Sequence, residues 1–471
     1  MDINKLNAAY PGETFPADNG FYNKIERWND IYNGEPEWRN TKKGGLYKSG
    51  KRRMNMLNTA KLLCDEFSRQ CFAEQVEISC GNDAYDEYIK AFLDREGFWK
   101  NIPELISKGF AHGGCCLREY ADNGTVKLSY VEGQSFYPVA WDNNRITEGI
   151  FMTVTAKGRD FYTLTERHRF SDGMVRTESK LFKSSDPNAL GVQVPLSTIY
   201  GEDAKDFAEY PASAPAFQYF RADGANNQQT ELPLGIAVFA NCSDTLKAID
   251  TTFDSFCREF VLGKKRIIVP SSCIRTVVDP ETGENVKYFD TDDEVYQALK
   301  CDEEKDLNIK DNTIVLRVDD HIRGINAYLN ILCAQVGLTA GSLSFDEAHG
   351  MKTATEVISE ESKTARTMKA NKNLLVEFIE GMCRAVIELA VQIGELPAAE
   401  YELAVGFKDN IIIDDNTLIE NNIKLVSAGL KSKLTAMMEI MKCDEDTAKA
   451  ELERIRAEEP VMSGGFDPTI S

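Results

Sequence analysis

Hydrophobic positions divide the chain into stretches of two different periods. Between residues 57 and 120 the period is helical. Leu57, Ala60, Leu63, Cys64, Phe67 and Cys71 recur every three or four positions and mark one apolar helical face. Tyr85, Tyr88, Ile89, Phe92 and Leu93 predict a second helix over about Asp83–Arg95, and a third is predicted over about Ile102–Ala111, running into Gly113-Gly114 as a tight helix-to-strand junction. From residue 115 to 235 the period shortens. Val126–Val131, Gly149–Thr155, Tyr162–Phe170 and Ala216–Arg221 are β-rich and punctuated by Gly, Asn and Pro, the pattern of an antiparallel sheet. After Pro233-Leu234-Gly235 the helical period returns. Leu246, Ile249, Phe253, Phe256 and Phe260 predict a helix over about 241–262, capped by Asn241 or Ser243 and stopped at Gly263.

Residues 267–318 read as an island of short strands with one helix at about Asp292–Lys300, and Asp279-Pro280-Glu281-Thr282-Gly283 is a turn signature. Ile322, Ile325, Leu329 and Leu332 predict a helix over about His321–Val336. A loop rich in Gly, Ser and Thr, 337–351, leads to Lys352-Thr353-Ala354-Thr355-Glu356, where Thr353 and Glu356 fit a capping box. A helix over roughly 353–394 follows, which at 1.5 Å per residue is about 60 Å long. Its second half carries an apolar stripe from Leu375 to Ile393, while its first half, Ser359 to Thr367, is polar. A polar half has no apolar face of its own to bury, so it is expected to lie between neighbouring subunits or to line a wet channel. An extended piece, Tyr401–Asp414, and helices at about 416–441 and 444–457 complete the chain. Helices and an antiparallel sheet in separate runs make the fold class α+β.

The first 56 residues are aromatic and then basic. Trp28, Tyr32 and Trp38 surround the turn dipeptide Asn33-Gly34. From Arg39 to Arg53 there are seven Lys/Arg and no acid, which reads either as a phosphate or partner patch or as a solvated arm that pairs with acidic neighbours. The reverse holds from Asp279 to Asp320, with 14 acids and 5 bases. Over all 471 residues, 75 acids against 54 bases give a net charge of −21. At roughly 150 residues per domain this length predicts about three domains. An acidic chain is a poor general coat for nucleic acid, because such coats neutralise phosphates with basic surface. It remains compatible with a protein that handles DNA without gripping it. No run of about 18 apolar residues is present to span a bilayer. Met1–Tyr10 lack the basic-then-apolar pattern of a secretion signal, so secretion is not expected.

Candidate chemistry is sparse. The twelve cysteines are dispersed without a CxxC pair and are expected to be free thiols, and the four histidines show no HExxH spacing. The cluster Asp290, Asp292, Asp293 and Glu294 lacks the glycine and terminal glutamate of an EF-hand loop. No metal site or cofactor is therefore expected. No Walker A, GxGxxG or GxSxG motif occurs, so the sequence gives an enzyme no support. Asp346-Glu347-Ala348-His349 reads as a loop-borne acid–base group or as an exposed loop.

The order of these features resembles the portal proteins of tailed bacteriophages, of the type found in siphophages and prophages of Gram-positive hosts. The resemblance runs over roughly residues 20–420. It rests on Trp28…Tyr32-Asn33-Gly34…Trp38; on Gly113-Gly114 followed by Arg118 and Tyr120; on Phe136, Pro138, Trp141 and Asp142; and on Tyr162-Thr163, Glu166 and His168. Two later runs are more specific: Pro233-Leu234-Gly235…Ala240-Asn241…Asp244…Leu246…Ile249-Asp250 into Glu259-Phe260…Gly263-Lys264-Lys265-Arg266, and Arg317-Val318…His321-Ile322 through the glycine-rich loop to Lys352-Thr353-Ala354-Thr355-Glu356-Val357.

The resemblance implies a portal-type fold and a role as a conduit rather than an enzyme. It implies a homo-oligomeric ring, typically of twelve subunits, at one capsid vertex of the virion, assembled in the bacterial cytoplasm. Its axial channel would pass double-stranded DNA in packaging and ejection. Its partners would be the terminase large subunit, a head–tail adaptor, and the major capsid and scaffolding proteins, with no membrane. An α/β wing would span 1–240, a stem helix 241–263, a small α/β clip 264–320, a second stem helix 321–336, a tunnel loop 337–352, a long wing helix and strand 353–414, and a helical crown 415–471. Ser342, Ser344, His349 and Lys352 would face the channel. Lys264, Lys265, Arg266, Lys363 and Arg366 would be DNA or interface cations, and Asp290, Asp292, Asp293 and Glu294 would dock partners. The competing readings are another capsid or connector protein of a phage, and an enzyme with an unrecognised site.

Overall fold

The computed structural model describes residues 3–13, 15–16, 18–42, 51–202, 204–263, 267–268, 275–278, 283, 285–288, 310–311, 315–345, 354–407, 415–429, 431–441 and 445–458. Two units divide the chain, 1–407 and 408–471, rather than the three domains expected from length.

In the first unit the predicted helices appear as Thr59–Cys71, Asp83–Arg95 and Phe98–His112. The third starts four residues earlier than its pattern, because Gly97 adopts φ 59° and lets the chain turn directly out of the preceding helix. Two further helices, Ile3–Ala9 and Asn19–Tyr32, precede them. The second of these opens on Asp18, whose carboxylate accepts from Phe21 N at 2.9 Å. Its buried Phe21, Tyr22, Ile25, Trp28 and Tyr32 fall on one face.

Two antiparallel sheets carry the β-rich stretch. A three-stranded sheet runs in the order Phe217–Arg221, Gly114–Asp122, Thr125–Glu132. A six-stranded sheet runs Val192–Val194, Met174–Ser184, Asp160–Ser171, Arg145–Lys157, Phe136–Asp142, with Phe207–Pro211 also paired to Met174–Ser184. Aromatics join the layers. Phe136 meets Phe151, Phe217 and Tyr219 at ring distances of 5.0–5.5 Å, and Phe220 links Phe110 to Phe378 at 5.6 and 5.8 Å. Phe378 belongs to the long helix Ala354–Ile393, whose 40 residues match the length expected from its pattern. The chain leaving that helix is pinned where Tyr85 Oη donates to Pro397 O at 2.9 Å, and strand Ala404–Phe407 pairs with Val76–Ser79.

Helix Ser243–Leu262 stops at Gly263 as predicted, but neither expected cap serves it. The N-cap is Cys242, without a side-chain bond, while Asn241 Oδ1 accepts from Asn227 Nδ2 at 3.1 Å. In the island, Ile267–Ile268 pairs with Lys310–Asp311 and Arg275–Val278 with Asn285–Tyr288. The helix expected at 292–300 and the capping box at Thr353 lie outside the described residues.

The second unit contains helices Asp415–Ser427, Lys433–Met441 and Glu445–Glu458. The single helix expected over 416–441 is broken, because Gly429 takes φ 69° and Ser432 Oγ accepts from Thr435 N at 3.0 Å to start the next helix.

Candidate functional site

The site is assembled from the run of chain between residues 243 and 371. Helices Ser243–Leu262 and Val318–Gln335 pack antiparallel, with Glu259 against Arg317 and His321 at one end and Thr252 against Gly324 further along. Leu246 and Ile249 of the first helix are buried, as are Ile325, Leu329 and Leu332 of the second. At the end that leads to the acidic island, Glu259 closes the pair. It accepts from Arg317 Nη2 at 2.8 Å, Nε at 3.1 Å and backbone N at 3.3 Å, and lies 3.3 Å from His321 Nε2. These bonds, led by that from the Arg317 side chain, hold the Glu259 carboxyl down at about 2.

At the other end of helix 318–335 the loop begins, and polar side chains hold its start. Gly337 takes φ 83°, with Thr367 of the long helix against it, and Thr367 Oγ1 donates to Gly337 O at 2.8 Å. Thr364 Oγ1 accepts from Thr339 N at 2.9 Å. Asn330 Oδ1 accepts from Gly341 N at 2.9 Å, and Asn326 Oδ1 from Phe345 N at 2.8 Å. The ring of Phe345 lies 6.2 Å from Phe253 and 6.1 Å from Phe256. Part of the polar half of the long helix thus binds a loop of its own chain, which differs from the expectation that it needs a neighbouring subunit or a channel. Asn371 extends the pattern by accepting from Asp223 N at 3.0 Å.

The candidate residues are distributed as follows. Ser342 and Ser344 are exposed on the described part of the loop. Lys363 is exposed and donates to Ala334 O at 3.2 Å, a cation at the carbonyl end of helix 318–335, and Arg366 is exposed one turn further along the same helix. His349, Lys352, Lys264, Lys265, Arg266, Asp290, Asp292, Asp293, Glu294 and the Asp346–His349 group lie outside the described residues.

Sequence reasoning missed the long-range partners. Trp38 Nε1 donates to Asp250 Oδ2 at 2.9 Å, and Leu57 N donates to Asp250 Oδ1 at 3.3 Å. Burial raises the Asp250 carboxyl while the Trp38 bond opposes it. One turn on, Asp254 takes both Arg52 Nη1 at 2.8 Å and Asn55 N at 3.0 Å, and the Arg52 bond holds it below the usual carboxylate range. Two bases of the 39–53 segment therefore pair with acids, Arg39 with Glu35 and Arg52 with Asp254, as the second reading of that segment has it. Arg118 and Glu166 form an ion pair. His168, two residues on, is buried edge-on to Phe151 at 5.2 Å, and burial together with Arg118 pushes its imidazole down to about 3. Gly113 and Gly235 touch backbone to backbone, and Tyr219 fills the space over Gly114. Trp38 with Asp250, Arg118 with Glu166 and Gly113 with Gly235 each join two of the short motifs that make up the sequence resemblance, and only a glycine fits at either side of the Gly113–Gly235 contact.

A family model for phage portal proteins of the SPP1 Gp6-like kind matches residues 15–460. The chain belongs to that family. It is a phage portal protein, a structural rather than an enzymatic family. No curated protein matches it. A solved chain from the virion of a native gene transfer agent particle is 10% identical, covers 93% of this portal chain and 99% of its own length, and has a TM-score of 0.45. Among the described residues of the portal there is no group of three or more His, Cys, Asp or Glu able to hold a metal, and no helix long and apolar enough to cross a membrane. Nine described cysteines are free, and burial raises their thiols, to about 11 at Cys80 and about 12 at Cys71.

Proposed function

We propose that this portal assembles as a ring of twelve subunits at one capsid vertex and conducts double-stranded DNA along its axis without hydrolysing nucleotide. Residues 1–240 with most of the long helix form the wing. The helices at 241–263 and 321–336 form the stem, and 264–320 the clip. Residues 337–352 are the tunnel loop, and 415–471 the crown. The clip, through acids such as Asp290, Asp292, Asp293 and Glu294, docks first the terminase large subunit and later the head–tail adaptor. The wing meets capsid and scaffolding proteins during assembly in the bacterial cytoplasm.

The observation that carries this reading is the family match over 15–460, together with the contacts between its motifs. An acidic chain suits a conduit, because a lumen of one sign repels phosphate and leaves DNA free to slide. Ser342, Ser344, His349 and Lys352 supply the polar surface that DNA meets at the constriction. The loop is tied at its start to both long helices, by Asn326 and Asn330 on one and Thr364 and Thr367 on the other. Movement of the clip acting on the Glu259–Arg317 closure is thereby passed along helix 318–335 to the loop.

Two measurements test the reading. Native mass spectrometry of the purified protein is expected to give a closed ring of twelve, and a monomer at every concentration contradicts it. Packaging with residues 339–350 shortened is expected to lose DNA retention, and normal filling and retention rules out a gate at this loop.

A further inference from the structure

The second half of the long helix Ala354–Ile393 is seated on the sheets of the body. Phe378 meets Phe220 at 5.8 Å, Gly381 lies directly against Gln218, and Ile379, Met382, Cys383 and Val386 are fully buried. Glu388 pins this seat, accepting from Ser213 N at 2.9 Å and from the Ser213 hydroxyl. A second acid lies in the seat without such support. Glu119, on strand Gly114–Asp122, is 2% exposed, and neither of its carboxyl oxygens accepts a hydrogen bond from another residue.

The titratable groups around Glu119 come from three elements: Cys116 and Arg118 of its own strand, Tyr210 of strand Phe207–Pro211, and Cys383 of the long helix. On the neighbouring strand it stands opposite Leu128. Behind them, Glu388 bears on Tyr210, and Cys80 and Glu380 bear on Cys383. Of these groups only Arg118 is a base, and it is committed to its ion pair with Glu166. Burial keeps the Tyr210 hydroxyl and the Cys383 thiol protonated, so neither supplies a charge. A buried carboxylate without donors costs far more than a neutral carboxyl. Burial accordingly pushes Glu119 well above the usual carboxylate range, opposed only by its own backbone N–H and the charge of Arg118.

We infer that the seat of the long helix is a proton-held joint: Glu119 keeps its proton while the seat is closed and releases it to water when the helix lifts from the sheet. The closed form binds this proton more tightly than the open form. The stability it lends is therefore fully present below about pH 4.5, the ordinary carboxyl value, and is lost as pH rises. Each pH unit favours the open form by about tenfold until the closed form ionises as well. A leucine would fill the same site without this cost, whereas the glutamate makes the seat respond to pH. The same helix holds the start of the 337–345 loop through Thr364 and Thr367, so the joint seats the element to which that loop is tied.

The test is pulse labelling of the full-length protein with N-ethylmaleimide, read peptide by peptide, in wild type and in Glu119→Gln. Cys383 is fully buried and reacts only when the seat opens, and the pH dependence of the thiol itself cancels in the ratio of the two proteins. That wild-type to variant ratio at Cys383 is expected to rise by about tenfold per pH unit above about pH 5. At Cys64, buried beside Tyr32, it is expected to stay flat. Glu119→Leu is expected to match Glu119→Gln. A ratio at Cys383 that does not change with pH overturns the joint. An equal rise at Cys64 overturns it as well, because the proton is then released by unfolding of the whole body. Infrared spectra of the wild type at pH 7 are expected to show the carbonyl band of a protonated carboxyl, and its absence overturns the inference without any variant.

Discussion

The body of the portal and its helix pair are held together by different means. In the body, Phe110, Phe136, Phe151, Phe217 and Phe220 are all 2% exposed or less, and the two sheets and the long helix share one apolar core. In the helix pair, Leu246, Ile249, Ile325, Leu329 and Leu332 form a narrow seam, and the ends are closed by polar bonds. Much of the remaining apolar surface of the pair is open: Val261 is 63% exposed, Ile331 48%, Phe260 46% and Tyr328 38%. Among the described residues the body buries most of its large apolar side chains, whereas the pair leaves several of its own exposed. This is the division expected if the helix pair is the stem of the proposed ring.

Five variants break or sharpen this comparison. Phe136→Ala removes the ring on which Phe151, Phe217 and Tyr219 converge, and is expected to cost the body about 3–5 kcal/mol by denaturant unfolding of the monomer. Gly235→Ala forces a Cβ into the backbone of Gly113 and is expected to cost about 1–3 kcal/mol in the same assay. Ile331→Asp is expected to change monomer stability by less than about 0.5 kcal/mol while reducing assembly, read by sedimentation velocity. A large loss of monomer stability would show that Ile331 is part of the fold.

The smallest effects lie in the pH dependence, where the regions part again. His168 in the body has a folded pKa of about 3, below its ordinary 6.5, so the unfolded chain binds the proton first. Its contribution to stability is present above about pH 6.5 and is lost as pH falls towards 3. Glu259 in the helix pair, held at about 2 against its ordinary 4.5, contributes above about pH 4.5 and loses that as pH falls through 2. His168→Phe is expected to flatten the stability curve between pH 6.5 and 3, and Glu259→Gln only below pH 4.5.

The sequence displays periodic structure well and partnership poorly. Helix Asp83–Arg95 and strands Thr125–Glu132, Arg145–Lys157, Asp160–Ser171 and Phe217–Arg221 follow from hydrophobic spacing, whereas Val192–Val194 and Phe207–Pro211, which bury no side chain, do not. Helix Asn19–Tyr32 was equally periodic at Phe21, Ile25, Trp28 and Tyr32, with Asp18 as its cap, but dense aromatics and an adjacent turn signal obscured it. The bond from Trp38 to Asp250 spans 212 residues, and no local pattern announces it. The polar half of the long helix stands out in the sequence, yet its role depends on where residues 337–345 lie, which spacing does not give. Of the candidate site, the order of motifs was legible. The closure at Glu259 and the tethers at Asn326 and Asn330 emerge only from packing.

Hydrogen exchange on the monomer and on the assembled ring tests the central contrast most directly. Strands 145–157, 160–171 and 174–184 are expected to exchange slowly in both forms, while helices 243–262 and 318–335 become slow only in the ring. Equal protection of the helix pair in monomer and ring would contradict the account.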